Sequence, residues 1–240
     1  MKPAAPIFDV IAFDADDTLW HNEPLFTRTK RKFEQLLTKY HSPEWIDRRL
    51  DETEMRNIRH FGYGIKGFTL SMIETAVELT EGRVTGAEIM EIIGFAREMM
   101  QHPVELLEGA HETVTTLAES YKLILVTKGD LFDQESKIAR SGLGDYFSAV
   151  EIVSEKVQHA YEKIMARHGI QPSRFLMVGN SLRSDILPVI AAGGYAVYVP
   201  YPTTWIHEHV EDYDREQTRL IEIERINLLP SVLNELTAGG

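Results

Sequence analysis

Three carboxylates stand within four residues, at Asp14, Asp16 and Asp17, directly after the apolar run Val10-Ile11-Ala12-Phe13. An uninterrupted apolar run of this length reads as a strand buried on both faces, the kind found in parallel sheets. The C-terminal ends of such strands open onto the crevice where open α/β sheets bind ligands. Carboxylates gathered there lose hydration and repel one another, which disfavours their ionised forms. A hard cation that takes oxygen ligands, such as Mg²⁺, relieves both effects. The plainer alternative is a strand that ends in an acidic turn, since Asp is common in turns.

Three further segments carry the same kind of signal. Leu123-Ile124-Leu125-Val126 ends in Thr127-Lys128-Gly129-Asp130. A Thr hydroxyl and the backbone N–H groups after it can hold a phosphate oxygen, and Gly129 lets the backbone come close. Lys128 either adds charge at the rim of a pocket or is an ordinary solvated lysine. Ser154-Glu155-Lys156 follows a strand candidate at 149–153. Lys156 is a compact point charge suited to a phosphate or a carboxylate. Lys163 is the fallback, less suited because it falls inside a helical stretch. The last segment runs from Phe175-Leu176-Met177-Val178 through Gly179-Asn180-Ser181 to Asp185. Asn180 offers a carbonyl oxygen and Asp185 a carboxylate to a metal or its water. Ser181 and Asp185 equally suit the start of a helix.

In order, the four segments resemble the four motifs of the haloacid dehalogenase-like hydrolase superfamily, over residues 7–199. Asp14-x-Asp16-x-Thr18-Leu19 matches the first motif, Thr127 the second, Lys156 the third, and Gly179 with Asp185 the fourth. Asn180 stands where many members carry Asp, which removes one negative charge from the metal site. The resemblance implies that Asp14 is a nucleophile forming an aspartyl-phosphate and that Asp16 is a general acid/base. It implies Mg²⁺ held by Asp14, the backbone carbonyl of Asp16, Asp185 and Asn180. It also implies a phosphoryl group held by Thr127 and Lys156, with Lys128 at the rim. Asp17 reads as a turn or helix-capping residue.

The elements that must position these residues follow from periodicity. The first strand is expected over 7–13. Strand-like runs then vanish, and residues 26–40, 44–60, 68–79 and 85–100 show apolar residues at helical spacing. After Pro103 strands and helices alternate: helix at 110–119, strand at 122–126, helix at 133–140, strand at 149–153 and helix at 157–168. They continue with strand at 174–178, helix at 185–192, strand at 195–199, a polar stretch at 200–217, strand at 219–223 and helix at 228–236. Such alternation predicts an α/β fold with a doubly wound parallel sheet. The expected organisation is a core of 1–21 and 104–240 with an inserted, all-helical cap at 22–103, which the resemblance likens to a C1-type cap. Cap candidates for contact with a leaving group are Phe26, Arg59, His60, Phe61, Tyr63, Lys66 and Phe68, although packing inside the cap is the stronger reading for any one aromatic. His207 and His209 read as surface residues, not a metal site.

Composition narrows the partners. The chain has 240 residues and a formal charge of −12. That charge argues against a nucleic-acid polymer or an anionic membrane as partner. It also means that an anionic substrate needs a local cation. The absence of cysteine rules out disulfides, thiolate catalysis and Cys-held zinc. No apolar run approaches the roughly 18 residues of a membrane span, and the residues before Asp14 lack a signal-peptide core. A cytoplasmic protein is the expectation.

The function expected is Mg²⁺-dependent hydrolysis of a small phosphorylated metabolite, a phosphate monoester. The runner-up is 2-haloacid dehalogenation, which uses the same nucleophile position on carbon and no metal. Asp16 favours the first, because a halide leaves without a proton, whereas Asn180 tilts toward the second. A non-catalytic binding protein is the third reading. Neither the substrate's leaving group nor the oligomeric state is legible in the sequence.

Overall fold

The computed structural model describes residues 7–203, 205, 208, 210 and 213–239; His207 and His209 lie outside the described residues. In chain order the elements begin β1 (Val10–Phe13), α1 (Glu23–Leu37), α2 (Pro43–Phe61), α3 (Ile65–Leu79), α4 (Gly86–Gln101), α5 (Ala110–Ala118), β2 (Lys122–Lys128) and α6 (Leu131–Ser141). They continue with β3 (Ala149–Val153), α7 (Gln158–His168), β4 (Phe175–Gly179), a π turn (Leu182–Ile186), α8 (Leu187–Ala191), β5 (Tyr195–Tyr198), β6 (Leu220–Glu222) and α9 (Leu229–Gly239). The chain divides into two compact units. One comprises Met1–Glu23, Val104–Lys128 and Lys137–Gly240; the other comprises Pro24–Pro103 and Gly129–Ser136.

The first unit is built on a six-stranded sheet in the order β3-β2-β1-β4-β5-β6, and each neighbouring pair is parallel. The α/β, doubly wound architecture is therefore as the alternation of elements predicts. Its physical basis is visible in β1. Ile11 and Phe13 enter one core cluster with Leu123, Leu125, Leu176 and Val178. Val10 and Ala12 enter a second cluster with Ile124, Val126, Phe175 and Met177. Successive side chains point to opposite faces of a strand, so a strand covered on both faces must be apolar at every position. The chain order reverses between β1 and β4, the switch point at which such sheets bind ligands. Asp14 follows β1 at that point, its backbone N–H donating to the Val178 carbonyl at 2.9 Å.

The second unit is helical. Phe33 and Leu37 of α1, Ile46 and Leu50 of α2, Phe68, Met72 and Ala76 of α3, and Ile92, Ala96 and Met99 of α4 form its core. The spacings of three and four residues place each set on one helix face.

Some boundaries differ from expectation. β2 runs through Lys128 because β3 continues to pair with it, Thr127 against Ile152 and Lys128 against Val153. α3 starts at Ile65 rather than at 68, since the buried Ile65 already joins the helical core. The helix expected at 185–192 is preceded by the π turn, so the chain coils as early as Leu182.

Candidate functional site

Three buried ionisable groups meet at the C-terminal ends of β1 and β4. The Lys156 ammonium is paired with Asp14 Oδ1 and lies 2.7 Å from Asp185 Oδ1. Asp14, Asp185 and Lys156 are all buried, Asp185 at 1% exposure. Burial opposes the charged form of Lys156, but attraction by Asp14 and Asp185 outweighs it and holds the ammonium above the ordinary lysine value. Burial drives the Asp185 carboxyl up to about 7, with Lys156 pulling it down and the Asp14 charge pushing it up. One ammonium thus serves two carboxylates.

The fourth segment is folded around Asp185. Its Oδ2 accepts the Ser181 N–H at 3.1 Å, and its own N–H donates to the Ser181 carbonyl at 2.8 Å. A Cβ on Gly179 would lie 2.3 Å from Asp185 Oδ2. Glycine is therefore demanded at 179 by the carboxylate packed against it. Ser181 acts as an N-cap, its hydroxyl accepting the Ser184 N–H at 3.0 Å. Tyr161, on α7 and fully buried, donates to the Ser184 carbonyl at 3.0 Å and braces the turn from behind. Thr18 ties the first and fourth segments together. Its hydroxyl oxygen is 2.9 Å from Asp14 Oδ2 and 3.1 Å from Asn180 Oδ1. The hydroxyl has a single proton, which serves one of the two at a time.

Asp16 and Asp17 separate into different roles. The Asp16 carboxylate accepts from the Lys137 ammonium at 2.8 Å on each oxygen and from the Trp20 indole N–H at 2.7 Å. Asp17 adopts a left-handed backbone, with φ of 61°. Its carboxylate accepts the N–H groups of Asn22 at 2.8 Å and Glu23 at 3.1 Å, capping the start of α1 as expected. Burial raises its carboxyl to about 7 against those backbone hydrogen bonds.

Thr127 is buried at the end of β2, at 1% exposure. Lys128 follows it and is paired with Glu208, while its ammonium also donates to Ser184 Oγ at 3.1 Å. Glu208 additionally accepts from the hydroxyls of Ser181 and Ser184. Burial works against the Glu208 carboxylate, but Lys128 and the two hydroxyls outweigh it and hold it below the usual range. Lys128 is thus part of a charge-matched cluster rather than a solvated lysine. Lys163, the fallback for Lys156, is exposed on α7.

In the helical unit, Phe68 is buried and packs against Phe26 with the rings tilted and their centroids 5.2 Å apart, so this pair is core packing. Phe61 is exposed. Lys66 reaches Asp130 at 2.9 Å and lies over the Phe132 ring at 5.3 Å.

Of the residues that sequence reading brought forward, Asp14, Lys156 and Asp185 meet directly and Asn180 joins them through Thr18, whereas Asp16 is held by Lys137, Lys128 by Glu208, and Thr127 is buried at the end of β2. That reading missed Lys137, Trp20, Glu208 and Tyr161, and assigned no role to Thr18. Trp20, four residues after Asp16, carried a faint signal as a nearby hydrogen-bond donor. Lys137 and Glu208 carried none, because a paired and a solvated charge look alike in sequence.

The donor set is entirely hard oxygen. Among the described residues no group of three or more Asp, Glu or His side chains comes together as a metal cage. Two carboxylates, an amide oxygen and water suit Mg²⁺, which keeps much of its hydration and uses one or two carboxylates. A cation beside Asp14 and Asp185 would favour their ionised forms and relieve the repulsion between them.

A family model described as haloacid dehalogenase-like hydrolase matches residues 8–193. A haloacid dehalogenase-like family hydrolase from Xanthomonas campestris is 39% identical, with a TM-score of 0.86 and 98% of each chain covered. The N-acylneuraminate-9-phosphatase of Mus musculus is 26% identical over 210 residues, 82% of each protein. A 2-haloacid dehalogenase from Pseudomonas syringae is 18% identical with a TM-score of 0.64, covering 95% of this chain and 99% of that one, a likeness of fold.

Proposed function

Since the chain belongs to the haloacid dehalogenase-like hydrolases, we propose that it is a Mg²⁺-dependent phosphatase acting on a small phosphorylated metabolite. The observation that carries the reading is the pairing of two buried carboxylates with one ammonium, Asp14 and Asp185 on Lys156, beside a separately held carboxylate, Asp16. Dehalogenation needs the first group of residues but has no use for the last. The similarity to a phosphatase over 82% of both proteins supports the same choice.

Asp14, Asp185, Asn180 and the Asp16 carbonyl would hold the metal. When bound, Mg²⁺ offsets the repulsion between an anionic nucleophile and an anionic substrate. An Asp14 oxygen attacks phosphorus while the bond to the leaving oxygen breaks. Asp16, protonated in the substrate complex, gives its proton to that oxygen and returns to the carboxylate that Lys137 and Trp20 hold. Water then attacks the aspartyl-phosphate, Asp16 takes its proton, and the Asp14 carboxylate and inorganic phosphate are released. Lys156 and the Thr127 hydroxyl orient the phosphoryl oxygens, with Lys128 at the rim.

The test is phosphate release from p-nitrophenyl phosphate and a panel of sugar phosphates, nucleoside monophosphates and phosphoglycolate. Wild type and Asp14→Asn are assayed with Mg²⁺ and with EDTA. Turnover that disappears in the variant and in EDTA supports the proposal. Metal-independent halide release from 2-haloacids, with the phosphate panel silent, would replace it with the dehalogenase.

A further inference from the structure

We infer that Lys137 is a positioning residue that holds Asp16 for proton transfer, an inference that rests on the phosphatase reading. Lys137 lies on α6, 121 residues from Asp16 in the chain. Its ammonium meets both Asp16 oxygens at 2.8 Å and Asn22 Oδ1 at 3.3 Å. Trp20, itself buried in the core, brings its indole N–H to Asp16 Oδ1 at 2.7 Å. The Lys137 side chain is 10% exposed and that of Asp16 20% exposed.

A surface lysine ordinarily roams, because ordering its long stem is entropically costly. Here the stem is buried and the ammonium is held against the Asp16 carboxylate and Asn22 Oδ1. Donors from two separate elements restrict the rotation of Asp16. Proton transfer to a leaving oxygen depends steeply on such alignment. The same ammonium faces the charge that appears on Asp16 once its proton has gone to the leaving oxygen. Because it meets both oxygens, the ammonium stabilises the Asp16 carboxylate that proton transfer leaves behind. Lys156 cannot take this role, since it is engaged by Asp14 and Asp185.

The role predicts sensitivity to the leaving group. An alkyl alcohol needs the Asp16 proton as it departs, whereas p-nitrophenolate leaves readily without it. Wild type, Lys137→Met and Lys137→Arg are compared with Mg²⁺ in single-turnover release of the alcohol from an alkyl phosphate and of p-nitrophenolate from p-nitrophenyl phosphate. Circular dichroism and thermal melting establish that each variant is folded. Lys137→Met is expected to slow alcohol release by about tenfold or more, to leave p-nitrophenolate release nearly unchanged and to restore alcohol release in part when Arg replaces Met. Equal slowing of both leaving groups would mean a merely structural lysine and overturns the inference, as does unchanged alcohol release. Lys137→Gln, which retains a donor but not the charge, is read in the same way if the Met variant does not fold. A wild type silent on both substrates sinks the phosphatase reading, whereas wild-type turnover without leaving-group dependence sinks only the role of Lys137.

Discussion

Lys128 and Glu208 form a partly buried ion pair across 80 residues of chain, with Ser184 in contact with both. A phosphoryl group at the rim would have to draw on a lysine whose charge is already matched. Glu208→Gln releases that charge. The expected outcome is a KM for phosphate esters about two- to fivefold lower, the ratio corresponding to the ~0.5–1 kcal/mol of a partly screened pair. Lys128→Ala in the Glu208→Gln background should return KM toward wild type. Unchanged KM in both variants would remove Lys128 from the phosphate-binding set.

The Asp14–Lys156–Asp185 cluster separates activity from stability. Asp14→Asn removes the proposed nucleophile together with one of two mutually repelling carboxylates, leaving a matched Lys156–Asp185 pair. Turnover should vanish while the melting temperature stays level or rises. Lys156→Met should do the opposite to the fold, costing about 3–5 kcal/mol by leaving two buried carboxylates without their counter-ion. Thermal melts of the two variants decide this, and a loss of stability in Asp14→Asn as large as in Lys156→Met would contradict it.

Metal affinity should respond to Asn180. Its side-chain oxygen shares Thr18 with Asp14, so Asn180→Asp adds a carboxylate to the same site. The Mg²⁺ concentration for half-maximal activity is expected to fall about fivefold, equivalent to ~1 kcal/mol of added attraction. Titration of activity against Mg²⁺ measures it, and a rise would place Asn180 outside the metal's reach.

The helical unit contains a capping box at the start of α4. Thr85 Oγ1 accepts the Glu88 N–H at 3.3 Å, and Glu88 Oε2 accepts the Thr85 N–H at 2.7 Å. Thr85→Ala should lower the stability of this unit by about 1 kcal/mol, read by hydrogen exchange of the α4 amides. Lys39, then Thr85, hold the Glu88 carboxyl down at about 2 against an ordinary 4.5. A depressed folded pKa stabilises above the unfolded value, so this contribution is complete above pH 4.5 and lost as the pH falls toward about 2. Glu88→Gln should flatten that part of the acid-unfolding curve.

The sequence by itself determined the parallel sheet, the helical segment between its first two strands, and the order of Asp14, Thr127, Lys156 and Asp185. Strands covered on both faces must be apolar throughout, so their ends are abrupt, and the polar residue just past each end is marked by contrast. Gly179 was legible for the same reason, although only the packed Asp185 carboxylate explains why nothing larger fits there. The tertiary structure alone decided which charges meet. Whether Lys137 faces Asp16 or water, and whether Lys128 is free or held by Glu208, depends on how α6 and the segment after β5 fold back onto the ends of β1 and β2. Electrostatic partnership is a property of distance and burial, and residues 80 or 121 positions apart carry no trace of it in their order along the chain.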